Sequence, residues 1–339
     1  MMNKLKEIST YRTPMMGLSI IWVIFYHIGL EYDFANPMIG KITSLGYGGV
    51  DFFLFLSGFG LYYSYLKDNN LKSFYRKRFR RILPEFILVT ILFGLVDTNS
   101  SIVDILMKIT TIGYWFPLLN IPHHLWYVSA IILFYLLFPL YMRFFNKKPR
   151  LSLVTGCIIG LVLTLIYSYT FLVLYPHEKN GLIFFTSRIP LFCIGVYFGR
   201  LSKYPPRGTD KTKKLIAMIV WLSILFSIVL LLLTKYADYW ILRNGGLFFY
   251  PFIFIVPGAC LMISYVLKEV PLITRFLSFF GKISFELYLV HEELIHYSEI
   301  LMKDMKIPDF IITILIIIVS IIFAYIVYFI NKIFLSYFN

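Results

Sequence analysis

The chain has 339 residues, of which 59% are hydrophobic and only 15% charged, and its net charge is +14. A water-soluble domain is roughly 45–50% apolar and about 25% charged. This composition therefore excludes a single soluble core and requires apolar surface that faces lipid. The basic excess would suggest nucleic acid in a soluble protein. Here it reads as the lysines and arginines that membrane proteins hold in cytoplasmic loops, so no nucleic-acid partner is expected.

A helix needs about 20 apolar residues to cross the hydrocarbon layer. In chain order the sequence predicts about ten spans, near 14–30, 47–66, 82–97, 125–144, 152–172, 182–200, 214–234, 247–267, 280–298 and 310–334. The apolar run Gly17 to Ile28 has no small-residue cleavage site after it, so the first span is expected to be retained. The third is short. The weakly apolar segment 102–119, broken by Gly113 and Pro117, is expected to be an interfacial or re-entrant helix. No linker separates domains. The expectation is an all-α, polytopic membrane bundle over residues 1–339, with membrane lipid as its surroundings.

Charge orients this bundle. With the N-terminus in the cytoplasm, 24 lysines and arginines fall on the cytoplasmic side and 7 in outer loops, and the two sides alternate loop by loop. Both termini are therefore expected to be cytoplasmic.

Charged groups within spans are costly, and they mark function or internal pairing. His27 closes the first span on its outer side. Asp51 lies near the outer start of the second, Arg188 about two turns into the sixth, and Glu286 and His291 in the outer half of the ninth. His123 and His124 precede Trp126; His177 and His296 sit in outer loops. All six histidines fall on the outer side. No HxxxH or HExxH spacing occurs, so no metal is expected. The three cysteines, Cys157, Cys193 and Cys260, lie in apolar runs without CxxC spacing and read as packing residues. His27 is the candidate general base for a hydroxyl. Asp51 has two readings: it orients His27, or it pairs with Arg188 to hold helices together.

The opposite side has its own cluster, Arg76, Lys77, Arg78, Arg80 and Arg81, ahead of Pro84. A topology signal explains the charge but not the preference for arginine, whose planar fork binds phosphate oxygens in pairs. Arg78 and Arg81 are three apart and share a helical face. Phosphate recognition thus falls inside and the base outside. Arg12 and His27 are fifteen residues apart, about 22 Å along a helix. A donor that reaches across must be long and thin, and acyl-coenzyme A has that shape.

These residues resemble the acyltransferase family 3 proteins, polytopic O-acyltransferases of bacterial surface polysaccharides. Gly49-Val50-Asp51-Phe52-Phe53-Leu54-Phe55-Leu56-Ser57-Gly58-Phe59 resembles the family's second-helix motif. Arg78 to Pro84 is similar to its RxxRxxP loop. Trp126 with Phe134, Tyr135 and Pro139 resembles its fourth-helix motif, Arg188 to Gly195 its RxPxFxxG segment, and Ser284 to His291 its SYxxYLxH segment. The resemblance implies that His27 is catalytic, that Asp51, Arg78, Arg81, Arg188 and His291 occupy other motif positions, and that the donor is acyl-CoA, usually acetyl-CoA, whose phosphates Arg78 and Arg81, helped by Arg76, are expected to hold. It also implies a bacterial plasma (inner) membrane protein acting on a carbohydrate or cell-envelope acceptor. Two positions depart from the pattern. Met16 stands where the family has an arginine, with Arg12 one turn earlier as its candidate substitute. Ile131 and Ile132 stand where many members have a pair of glutamates. A transporter without chemistry and a non-catalytic scaffold are the rival readings.

Overall fold

The computed structural model describes residues 2–32, 34, 36–97, 100–115, 126–174, 181–205, 221–222, 224–233, 247–302 and 307–337. Regular structure among them is helical throughout. In chain order the helices are α1 (Met2–Thr10), α2 (Arg12–Glu31), α3 (Pro37–Thr43), α4 (Gly49–Lys67), α5 (Leu71–Val96), α6 (Ile102–Ile109), α7 (Trp126–Lys147), α8 (Pro149–Leu174), α9 (Gly181–Thr186) and α10 (Ile189–Lys203). They continue with α11 (Ile224–Leu233), α12 (Pro251–Glu269), α13 (Pro271–Lys282), α14 (Ser284–Met302) and α15 (Asp309–Ser336).

Seven stretches of the described chain are long and apolar enough to cross a membrane: Arg12–Glu31, Pro37–Lys67, Trp126–Lys147, Pro149–Thr170, Leu182–Lys203, Pro251–Glu269 and Asp309–Ser336. They match seven of the ten expected spans. The other three differ for separate reasons. The expected span 82–97 is the second half of α5, whose first half is the arginine-rich segment itself. The expected loop around Arg78 is therefore helical, and Pro84 sits inside the helix. The expected span 280–298 becomes α14, which starts only after a break at Ile283 and carries Glu286, Glu292 and Glu293. The expected span 214–234 lies largely outside the described residues, and α11 is its described part. Within 102–119, α6 is a short helix opened by a Ser101–Asp104 capping box, where each side chain satisfies the other's backbone N–H. Residues 116–125 lie outside the description.

Helix α4 is the centre of the bundle. Its run from Gly49 to Phe59 is buried on every face. That is possible because its neighbours approach closely. A Cβ on Gly58 would collide with the Phe192 carbonyl of α10, and one on Gly195 would collide with the Phe55 carbonyl of α4. The same device seats α2 on α13, where Gly17 faces the Leu277 carbonyl and Gly281 faces that of Thr13. Small residues let membrane helices gain packing where lipid offers no hydrophobic drive. At the edge, α15 shows the opposite pattern. Ile312, Ile316, Ser320, Ala324, Val327 and Asn331 face inward at helical spacing, while Ile314, Ile318, Ile322 and Phe329 are exposed.

Candidate functional site

Two ends of the bundle carry chemistry. At one end, α2 and α14 bring His27 and His291 together. His291 Nε2 lies 3.0 Å from His27 Nδ1. The tautomers follow from the neighbours. His291 Nδ1 is 2.9 Å from both the Leu287 and Tyr288 carbonyls. A carbonyl oxygen only accepts, so that nitrogen carries the hydrogen. The Nε2 lone pair of His291 then accepts from His27 Nδ1–H, which also lies 3.1 Å from the Val23 carbonyl. In neutral His27 this puts the lone pair on Nε2. Glu292 Oε2 stands 3.5 Å from it.

The carboxylate beside His27 is thus Glu292, where the sequence offered Asp51. Asp51 takes its other reading. It sits in the first turn of α4, 1% exposed, and accepts from Arg188 Nε at 3.1 Å. Arg188 caps α10 and is 2% exposed. Its guanidinium also donates to the Phe184 carbonyl and to Ser187 Oγ, and lies 3.7 Å from the centre of the Phe249 ring and 4.9 Å from that of Trp126. Both charges are out of water and compensated, a pair that is costly to break by removing one partner. A cavity of about 230 Å³ opens here, lined by Tyr26, His27, Tyr47, Trp126, Arg188, Tyr288 and Glu292 among others. Of the remaining expected histidines, His296 lies further along α14, beside Tyr297. His123, His124 and His177 lie outside the described residues.

The other end is basic. A cavity of about 700 Å³ is lined by Arg76, Lys77, Arg80, Arg81, Lys282 and Lys332, with Glu85, Glu286 and Asn331 at its buried side. Glu286 therefore belongs to this end. The sequence placed it in the outer half of its span, but the break at Ile283 puts it in the first turn of α14, at the basic mouth. Glu85 accepts a hydrogen bond from Asn331 Nδ2, tying α5 to α15. Lys77 is held by Asp68 at 2.8 Å. Hydrogen bonds from Lys77, from Ser73 and from the Asn70 backbone hold the Asp68 carboxyl well below the usual carboxylate range.

Arg78 and Arg81 do not share one environment. Arg81 lines the basic cavity, while the Arg78 guanidinium lies 5.6 Å from the centre of the Phe74 ring. Arg12 enters from the start of α2 and packs its guanidinium against Gly60. It meets Arg81 along a small inner cavity of about 40 Å³, which Met16 also lines. Arg12, Arg78 and Arg81 lie close enough to repel one another. Among the described residues, no carboxylate comes within 4 Å of any of the three.

The three cavities run in series. Arg81, Ser284 and Phe285 line both the basic cavity and the small inner one. Tyr288 lines both the small one and the His27 cavity. Sequence reasoning missed Glu292 and Tyr288 as site residues. His291 and Glu292 are adjacent in sequence, and adjacent helical residues point in different directions. The two nonetheless flank His27, because its ring reaches between them. Tyr288 was legible only as part of a motif.

Spanning helices, a histidine site and an arginine-rich opening with a small cavity bordering both define a multi-pass membrane protein with polar chemistry at both ends of one bundle. The chain belongs to the acyltransferase 3 family, whose acyltransferase domain it matches over residues 15–329. Among its relatives is acyltransferase MdmB of Streptomyces mycarofaciens, 30% identical over 156 residues, 40% of either chain. O-acetyltransferase OatA of Staphylococcus aureus (strain NCTC 8325 / PS 47) is 26% identical over 321 residues, 83% of this chain and 49% of OatA. A putative O-acetyltransferase of S. aureus (strain COL) is 23% identical over 352 residues, 91% of this chain and 56% of that protein. The chain spans about half the length of these curated relatives. No solved structure matches it.

Proposed function

We propose that this protein transfers an acyl group, acetyl in the first instance, from acyl-CoA to a hydroxyl of a carbohydrate or cell-envelope acceptor across a bacterial plasma (inner) membrane. The observation that carries the reading is the series of cavities that leads from Arg81 through Tyr288 to His27. The relatives' names point to the same reaction class.

In this reading the bundle has ten spans and both termini are cytoplasmic. The basic cavity is then the inner mouth. Arg76 and Arg81, with Arg12 and Arg78 behind them, hold the phosphates of the donor through charge-assisted hydrogen bonds. The thin pantetheine arm follows the small cavity between α2, α5 and α14. The thioester reaches the His27 cavity, where the acceptor enters from the other side.

His27 Nε2 takes the proton of the acceptor hydroxyl as its oxygen attacks the thioester carbon. Glu292 stabilises the imidazolium that forms, and His291 holds the ring in the tautomer that exposes Nε2 to the cavity. Arg188, on the cavity wall, adds positive potential where the thioester oxygen becomes an oxyanion. Collapse breaks the C–S bond, and the proton on Nε2 passes to the leaving thiolate. The products are the ester and CoA–SH.

The test uses purified full chain in lipid nanodiscs, supplied with acetyl-CoA and a soluble sugar acceptor, with free thiol and acetylated sugar both measured. Wild type should release CoA–SH in step with ester formed. His27→Ala should do neither while keeping its elution volume and melting curve. Full activity in that variant overturns the assignment.

A further inference from the structure

We propose that His27, His291 and Glu292 form a binding site for a divalent transition-metal ion of the zinc type. Each of the three offers one ligand atom, and these atoms all lie within 4.8 Å of one another. A tetrahedral zinc ion with His and carboxylate ligands at about 2.0–2.2 Å holds its ligand atoms roughly 3.4 Å apart. The spacing of His27 Nε2 to Glu292 Oε2, 3.5 Å, already meets that requirement.

The second observation is how the imidazoles are held. Ligating histidines ordinarily donate their other ring N–H to a backbone carbonyl or a carboxylate, which fixes the tautomer and aims the lone pair. Both rings here do so. His291 Nδ1 donates to Leu287 and Tyr288, and His27 Nδ1 has the Val23 carbonyl at 3.1 Å. The metal takes the place of the contact between the two rings. His27 Nδ1–H keeps Val23, and both Nε2 lone pairs turn to the ion. Two imidazoles and one carboxylate suit zinc, and magnesium and calcium prefer oxygen ligands. His27 and Glu292 both line the cavity of about 230 Å³, from which water or a ligand can reach the ion. No spacing rule within one helix detects it, because the ligands come from α2 and α14.

Binding at this site occupies the lone pair that the acyl-transfer reading assigns to the base. The consequence, which rests on that reading, is reversible inhibition by zinc. Binding itself does not depend on the reading and is measured without acyl-CoA.

The experiment titrates zinc, then magnesium, into metal-stripped full chain in detergent by calorimetry. The tag carries no histidines. Wild type should bind one equivalent of zinc in the micromolar range and no magnesium. Glu292→Gln and His27→Gln should each weaken binding at least about tenfold, since even outer partners of a ligand are worth 10–100-fold. Glu292 is half-buried, so its variant should fold even where a change at His291 does not. Wild-type affinity in both variants, or no binding below millimolar zinc, overturns the proposal. Zinc should also suppress CoA release in the acyl-transfer assay, with recovery on chelation. Loss of binding in the variants, with wild-type acyl transfer unaltered by saturating zinc, would leave the metal site standing and sink the base assignment.

Discussion

The two ends of the bundle recognise by different physics. At the basic end, many cations surround a wide cavity, and three arginines, Arg12, Arg78 and Arg81, have no carboxylate within 4 Å among the described residues. At the histidine end the cavity is a third the size, and His27, His291, Asp51 and Arg188 each have a specific neighbour. Unpaired guanidiniums repel one another and raise the energy of the ligand-free state. A polyanion relieves that repulsion whatever its exact pose. A general base has no such latitude, since a misplaced ring or wrong tautomer removes catalysis altogether. The basic end should therefore tolerate substitution by degrees, and the histidine end should not.

The comparison breaks most readily at His27. His27→Ala should lower the rate of acetyl transfer by about 10²–10⁴-fold, the usual share of a general base, with the protein still folded. The Asp51–Arg188 pair should give the largest loss of stability. Asp51→Ala leaves a buried guanidinium uncompensated and should cost about 3–5 kcal/mol, read as a fall in melting temperature and in the yield of monodisperse protein. Asp51→Asn keeps a hydrogen-bond acceptor and should cost less. At the basic end, Arg81→Gln should raise KM for acetyl-CoA by about ten- to a hundredfold, the worth of one charge-assisted hydrogen bond, and leave kcat close to wild type. A fall in kcat with KM unchanged would mean that Arg81 acts on the reaction rather than on donor binding.

Much of the fold was legible because hydropathy is a long-range average. Seven of the expected spans coincide with apolar helices. Two of the others differ at local features that an average smooths over, and the third, 214–234, lies largely outside the described residues. Helix α5 runs through Pro84, so the arginine-rich segment and the expected third span form one helix. Ile283 did break the chain, and that moved Glu286 to the basic mouth. The site was legible as residue types and less so as partners. His27, Asp51, Arg188 and His291 all lie at the histidine end, and Arg188 and His27 line one cavity. Which carboxylate serves which cation depends on side-chain reach between helices, and no spacing within a sequence encodes that. Asp51 looked toward His27 in a hairpin reading. Arg188, buried among Trp126, Phe184 and Phe249, claims it because a guanidinium there has no water to turn to.

That partner choice yields the smallest expected effect and the sharpest comparison. Glu292→Gln keeps the shape of the side chain and removes its charge. If Glu292 stabilises the imidazolium of His27, the variant should lower kcat about fivefold, since a half-exposed ion pair contributes up to about 1 kcal/mol, and leave KM for acetyl-CoA and the melting temperature unchanged. Asp51→Asn should show the opposite profile: lower stability, with kcat altered only as far as folded protein is lost. The two carboxylates lie at the same end of the bundle, and the sequence singled out only Asp51 as a partner for His27. A crossed result, with kcat following Asp51 and stability following Glu292, would return Asp51 to the side of His27 and make the Arg188 pair a feature of the resting state alone.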